Sequence, residues 1–183
     1  MPQERKTQNF GIETVRTFID GLGRDYAVIS ANNNSAASRL VWFVAIAGFA
    51  LLNVGKLAKG IVGSSLTSGE NVLLVLPWAF VGLCGVIAHW LTGELGAIDN
   101  NYYMMKQHSI RSWLATAPRN PKIQEVTDIL NVDEKDPEVS IRRKAVEKLA
   151  PAVSFWEKAT FIALLISFAW SVIFPLIISS CNL

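Results

Sequence analysis

The chain has 183 residues, of which 51% are hydrophobic and only 17% are charged. That balance excludes an ordinary soluble domain of this size and is typical of a small polytopic membrane protein. The net charge of +2 is too small to argue for nucleic-acid binding, and two cysteines do not make a disulfide framework.

Residues 1–38 are polar or amphipathic and predict a cytoplasmic N-terminal helix. The run from Asn32 to Ser35 predicts a break or a helix cap before the first membrane span. The helix can lie on the membrane surface or pack along a neighbouring helix. Its polar face mixes charges of both signs, which favours packing. The apolar stripe that would make this contact recurs at helical spacing: Val15, Phe18, Leu22, Tyr26 and Ile29.

Residues 39–92 predict a transmembrane hairpin. The first span covers about 40–57, and its eighteen residues are at the short end for a spanning helix. A short loop rich in glycine and serine leads to a second span at about 72–92. Pro77 lies one turn into that span and is expected to kink it only slightly.

Residues 93–155 predict a cytoplasmic layer that begins with a stalk. Between Pro77 and Pro118 there is no proline, and we expect one helix from the second span to about residue 115. The part from Gly93 to Ala117 would be roughly 37 Å long at 1.5 Å per residue. The apolar face that would pack on the N-terminal helix has alternating spacings of three and four residues: Leu95, Ile98, Tyr102 and Met105.

Short helices are expected after the stalk. The first would bury Ile123, Val126 and Leu130. Asp136, followed by Pro137 and an acidic residue, has the order of a helix start. We expect the helix that it opens to end at Pro151.

The last segment, 156–183, predicts a third transmembrane helix at about 156–180 followed by a short outer terminus. Ser154 and Glu157 have the spacing of a capping box directly before its apolar run. Five Lys and Arg precede the first span and about ten lie between Lys106 and Lys158, whereas the first interspan loop holds only Lys59, with Lys56 at its edge. The positive-inside rule therefore predicts a cytoplasmic N-terminus and an outer C-terminus.

Two polar residues inside the hairpin are candidates for function. Asn53 is the one amide of the first span, and it could line a pore or join helices by a hydrogen bond. His89 lies one turn from the inner end of the second span. It invites a metal or proton-relay interpretation, but no second intramembrane histidine or carboxylate accompanies it. An interfacial histidine is the plainer interpretation, and we expect no metal and no cofactor.

Small residues share one helix face on two helices, eight positions apart on the second span and its continuation and four positions apart on the third span, which lets another helix backbone approach closely. We expect one stripe to be used within the chain and at least one between copies of it, although all of them could serve internal packing or a foreign subunit. The stripe residues are Gly85 and Gly93 on the second span and Ala159, Ala163, Ser167 and Ser171 on the third.

A basic run follows the predicted helix start at Asp136. Its side chains could bind anionic lipid headgroups or simply form an exposed helix face. The run consists of Arg142, Arg143, Lys144 and Lys148. No motif of a nucleotide-binding loop, a metalloprotease, a serine hydrolase or a dithiol site is present, so we expect no catalytic residues and no enzyme.

Together these features predict an all-α, multi-pass membrane protein with three transmembrane helices, N-terminus inside and C-terminus outside, and a helical cytoplasmic layer. The layout of a tight hairpin with long cytoplasmic helices resembles small membrane effectors of bacterial defence systems. That resemblance is one of architecture only. With the small-residue stripes, we expect a homo-oligomer in a bacterial inner membrane that forms or gates a pore or perturbs the bilayer as an effector. The alternative is a non-catalytic anchor or scaffold subunit, which binds a protein partner through the stalk.

Overall fold

The computed structural model describes residues 2–63, 66–118 and 121–181, with side chains from position 11 onward. These ranges are almost entirely α-helical and contain no strand, which confirms the predicted all-α class. The helices are α1 (Pro2–Val62), α2 (Ser68–Thr116), α3 (Ile123–Leu130), α4 (Val132–Lys135) and α5 (Pro137–Cys181).

Three of these helices are long and apolar enough to cross a membrane. They are α1, α2 and α5, and each contains a strongly apolar window of eighteen residues. Large apolar side chains remain exposed along all three, including Leu52 at 78%, Leu76 at 60% and Ile166 at 59%. A bilayer is the solvent in which such a surface is stable.

The chain divides into two compact units, each built from two stretches of sequence. The polar unit comprises Met1–Asn34 and Glu94–Ala150, and the apolar unit comprises Ser35–Gly93 and Pro151–Leu183. Thirteen basic and thirteen acidic residues lie in the polar unit, and only six charged residues lie in the apolar unit. The borders between the two units lie within five residues of the divisions predicted from the sequence, which follow residues 38, 92 and 155. The assignment of these segments to the cytoplasm or the membrane stays a prediction.

Helix α1 does not break at Asn32–Ser35, so that prediction was wrong. Asparagine and serine break helices when their side chains compete for the local backbone. Here the side chains have other partners. The Asn33 amide donates to the Asp99 carboxylate at 3.5 Å, and the Ser35 hydroxyl accepts from Arg39 at 3.0 Å.

Helix α5 continues through Pro151, where an end was predicted. A proline inside a helix loses one backbone hydrogen bond and costs about 3 kcal/mol relative to alanine, and this helix tolerates the loss. Ser154 and Glu157 therefore lie within the helix and cap nothing. The Glu157 carboxylate instead accepts from Arg39 of α1 at 2.7 Å.

Helix α2 confirms the prediction of one continuous helix from the second span into the following segment. Its start carries a capping box with the T-x-x-E spacing of Thr67 and Glu70, which was not among the predicted helix starts. The Glu70 carboxylate accepts from the Thr67 backbone N–H at 2.6 Å, and the Thr67 hydroxyl accepts from the Glu70 N–H at 3.3 Å. Upstream, α1 ends next to Gly63, whose φ of +72° is a left-handed conformation that glycine adopts readily.

The predicted helix start at Asp136 is confirmed. Its carboxylate accepts from the backbone N–H of Glu138 at 3.0 Å and of Val139 at 3.4 Å, directly ahead of α5. Helix α3 also forms where expected, but Ile123 is 87% exposed and the prediction that it is buried was wrong. It is the first residue of that helix and points away from the core that Val126 joins.

The N-terminal stripe packs as predicted within the polar unit. Val15 and Leu22 are buried in a cluster with Ile110 of α2 and Val132 of α4. Tyr103 of α2, which was not among the expected residues, packs on Tyr26 with ring centroids 5.2 Å apart. Leu95 of the expected face is buried, at 6% exposure. The remaining contributors to this core are Phe18, Ile19, Trp113, Leu114, Val126, Ile129 and Leu130.

Candidate functional site

The interior of the apolar unit is filled by apolar side chains from α1, α2 and α5. Its centre contains the indole of Trp78, which is only 2% exposed. The indole N–H donates to the Ser171 hydroxyl at 2.8 Å, and its ring meets Phe168 edge-on at 4.9 Å between centroids. The other buried members of this core are Ala47, Val54, Ala58, Leu74, Val81, Ala163 and Leu164.

The small-residue stripe of α5 faces this core. Ala163 is buried, and Ser167 is 1% exposed and donates to the Ala163 carbonyl at 2.8 Å. Ser171 accepts from Trp78 and donates to the Ser167 carbonyl. Ala159 is half-buried at one end of the stripe. This stripe is therefore used for packing within the chain.

The two glycines of the stripe on α2 have different surroundings. Gly85 is buried, and a Cβ on it would lie 2.7 Å from Val44 Cγ2 of α1 and 3.6 Å from Thr160 Cγ2 of α5. Only a glycine permits that three-helix approach without a shift of its neighbours. Gly93 is exposed, and no atom lies within 4 Å of the position where its Cβ would be. Gly85 thus has an internal packing role that Gly93 does not share.

The polar candidates of the hairpin lie outside the apolar core. The Asn53 amide donates to the Phe49 carbonyl of its own helix at 2.8 Å and reaches no other helix in the described ranges. His89 is exposed, with no hydrogen bond or ion pair to the described residues. Within those residues no group of three or more His, Cys, Asp and Glu side chains is arranged to hold a metal ion.

The polar unit contains a buried ion pair that the sequence pattern did not reveal. Lys106 of α2, whose side chain is 8% exposed, donates to Asp133 of α4 at 2.5 Å. Its ammonium also lies 5.6 Å from the ring centre of Phe18 on α1. The Tyr102 hydroxyl donates to the second Asp133 oxygen at 3.0 Å. Tyr102 and Lys106 are one helical turn apart, which was the only sequence signal for this site.

Tyr102 and its neighbour Tyr103 keep their protons in this environment. Burial, followed by the Asp133 charge, raises the pKa of Tyr102 well above its usual range. Burial also raises the pKa of Tyr103. Both side chains are therefore neutral at pH 7, and the Tyr102 hydroxyl, as a donor to Asp133, helps to tie α4 to α2.

One member of the basic run belongs to the same network. Arg143 donates to Glu147 at 2.8 Å and lies 3.9 Å from Asp133. Lys144 and Lys148 are exposed and Arg142 is half-buried, and none of the three forms an ion pair with the part of the chain that the structure describes. For these three residues, lipid-headgroup binding and a simple exposed helix face both stay predictions, whereas Arg143 already has acidic partners.

A second polar contact in this unit involves α1 and α2. The Tyr26 hydroxyl donates to Asn100 at 2.6 Å, and Asp99 is 6% exposed. Burial raises the pKa of Asp99, and the hydrogen bond from Asn33 offsets this only in part.

Comparison of the chain with known protein families, characterised proteins and solved structures gives no significant match.

Proposed function

We propose that the chain is a multi-pass membrane protein of a bacterial inner membrane that self-associates and forms or gates a pore, or perturbs the bilayer as an effector. The N-terminus and the polar unit lie in the cytoplasm, and the C-terminus lies outside. The proposal rests on the three apolar helices, on the distribution of Lys and Arg, and on the filled interior of the apolar unit.

The filled interior is the observation that carries the proposal. The three long helices of one chain meet around Ala47, Val81 and Leu164, and these apolar side chains fill the space between them in the described residues. Any pathway for ions must therefore lie between copies of the chain. Identical chains usually assemble with closed rotational symmetry, which places equivalent helices around an axis.

Helix α1 offers distinct faces for an interface and for a pathway. Gly48 is exposed, and no atom lies within 4 Å of the place that a Cβ would occupy, so a neighbouring backbone can approach there. Asn53 lies about 140° around the helix from Gly48, at 100° per residue. A ring needs its contact face and its lumen on different sides of the helix. Asn53 is the proposed lumen residue, and His89 lies near the inner mouth.

The first test is disulfide cross-linking in native membranes with two adjacent cysteines. Gly48→Cys and Ala47→Cys are compared in a Cys181→Ser background, because Cys181 is exposed and Cys84 is buried. We expect cross-linked oligomers from Gly48→Cys and none from Ala47→Cys, since Ala47 is fully buried in its own chain.

Mass and flux complete that test. Light scattering of the unmodified protein in mild detergent and in nanodiscs should give a protein mass that is a single integer multiple, greater than one, of the chain mass. A monodisperse monomer in both media would refute self-association and, with it, the pore. In liposomes, Asn53→Leu should lower ion flux while particle mass stays unchanged.

The alternative is an anchor or scaffold subunit, and one feature of the polar unit favours it. An open groove of about 630 Å³ follows one face of α1, with charges of both signs beside apolar side chains such as Phe18 and Leu22. A partner helix of matching pattern would fit there. Under this alternative the purified particle contains a second, different polypeptide in fixed ratio, and no flux is measured.

A further inference from the structure

A groove of about 670 Å³ runs along the apolar unit between α2 and α5. Its lining is apolar except for one charged and one hydroxyl side chain. The groove lies between Phe80 of α2 and Ala159, Ile162, Ala163 and Ser167 of α5, with Lys158 also in its lining.

The shape of the groove follows from residue size. Along α5 the half-buried Ala159 and the buried Ala163 and Ser167 form the floor between the two helices, and their small side chains leave a shallow channel above it. Phe80 and Ile162 border this channel and are 56% exposed. The channel is thus open to whatever surrounds the apolar unit.

The length of the groove matches one leaflet of a bilayer. From Phe155 to Ile166 the helix rises about 17 Å at 1.5 Å per residue. The hydrocarbon core is about 30 Å thick, so one leaflet contributes about 15 Å. The groove is therefore about as long as one acyl chain and does not extend across both leaflets.

The charge at one end of the groove has no acidic partner. The apolar unit holds two carboxylates, and both are engaged: Glu157 accepts from Arg39, and Glu70 accepts from Thr67. Lys158 is exposed and forms no ion pair with the described residues. It lies near the end of the groove where the third span begins, at the level where headgroups are expected.

We propose that this groove is a binding site for one anionic phospholipid, with an acyl chain along Ala159 and Ile162 and the phosphate at Lys158. The positive charge of Lys158 favours an anionic headgroup. The apolar channel is about as long as one leaflet is thick, which suits one acyl chain. The site requires only that α5 lies in a bilayer, and it is independent of self-association.

The headgroup contact is tested by native mass spectrometry of the full chain in detergent with added phosphatidylglycerol or phosphatidylcholine of identical acyl chains. The unmodified protein should retain phosphatidylglycerol preferentially. Lys158→Ala should weaken phosphatidylglycerol binding about fivefold, as expected for one lysine near a membrane surface. It should leave phosphatidylcholine binding unchanged. Lys59→Ala, an exposed lysine outside the groove, should alter neither.

The acyl-chain contact is tested by filling the channel. Ala159→Phe should lower the binding of both lipids, whereas Ala169→Phe, at an exposed alanine of the same helix outside the groove, should not. Equal retention of the two lipids by the unmodified protein overturns the proposal, as does an anionic preference that survives Lys158→Ala. Unchanged lipid binding in Ala159→Phe overturns the groove as the site. If that variant instead reduces particle mass, the groove holds a second copy of the chain.

Discussion

At the residue scale, the segment 128–135 of the polar unit contributes to two ion pairs, and the surroundings of these pairs differ greatly. Lys106 and Asp133 are nearly buried, with side-chain exposures of 8% and 15%, whereas Lys135 and Asp128 are 63% and 42% exposed. Removing one partner of a buried pair leaves an uncompensated charge, which is far more costly than losing a solvated pair.

Asp133→Asn should therefore destabilise the protein strongly, by about 3 kcal/mol, because the Lys106 ammonium loses its counter-charge while still buried. For a chain of this length that corresponds to a fall in Tm of about 6 to 12 °C. Asp128→Asn is the matched control, and it should cost less than about 1 kcal/mol. Thermal unfolding in detergent, followed by circular dichroism, compares the two. Equal shifts would show that the Lys106 site is not buried in solution.

At the scale of elements, α5 is an uninterrupted helix of 45 residues that contains Pro151 and Pro175 and begins at Pro137. The first-turn proline is favourable, because the first N–H groups of a helix have no partner within it. Pro151 removes an interior hydrogen bond and clashes with the preceding turn. Two prolines on one helix thus have opposite energetic consequences.

Pro151→Ala should raise Tm, because alanine restores the missing backbone N–H and has the best helix propensity, with an upper limit of about 3 kcal/mol. Pro137→Ala should be neutral or slightly destabilising. Thermal unfolding measures both, and hydrogen exchange at positions 148–156 reports whether the helix becomes more protected there. A fall in Tm for Pro151→Ala would contradict a continuous helix at this point.

At the scale of the whole molecule, orientation in the membrane is the property on which the proposed function depends. The two cysteines provide a direct reporter, since Cys84 is 1% exposed and Cys181 is exposed at the end of α5. A thiol reagent in the aqueous phase should therefore react at one position only.

A membrane-impermeant maleimide applied to intact cells should label Cys181 because the Lys and Arg distribution places the C-terminus outside. Cys181→Ser is the control and should abolish labelling. Labelling that requires disruption of the cells would reverse the orientation and place the basic run, Arg142 to Lys148, outside.

The sequence by itself was sufficient for the all-α class, the three apolar helices, the continuous α2 and the cap at Asp136. Each of these depends on local pattern, on the length of an apolar run or on the order of a few neighbouring residues. The tertiary structure alone decided that α1 and α5 continue through Asn32–Ser35 and Pro151. At Asn33 the distant Asp99 carboxylate accepts from an amide that could otherwise compete for the local backbone. The tertiary structure also decided that the stripe of α5 faces inward, that Gly85 allows a close approach of three helices, and that Lys106 meets Asp133. Those contacts join residues far apart in the chain, and helical spacing shows which residues share a face but not what that face meets.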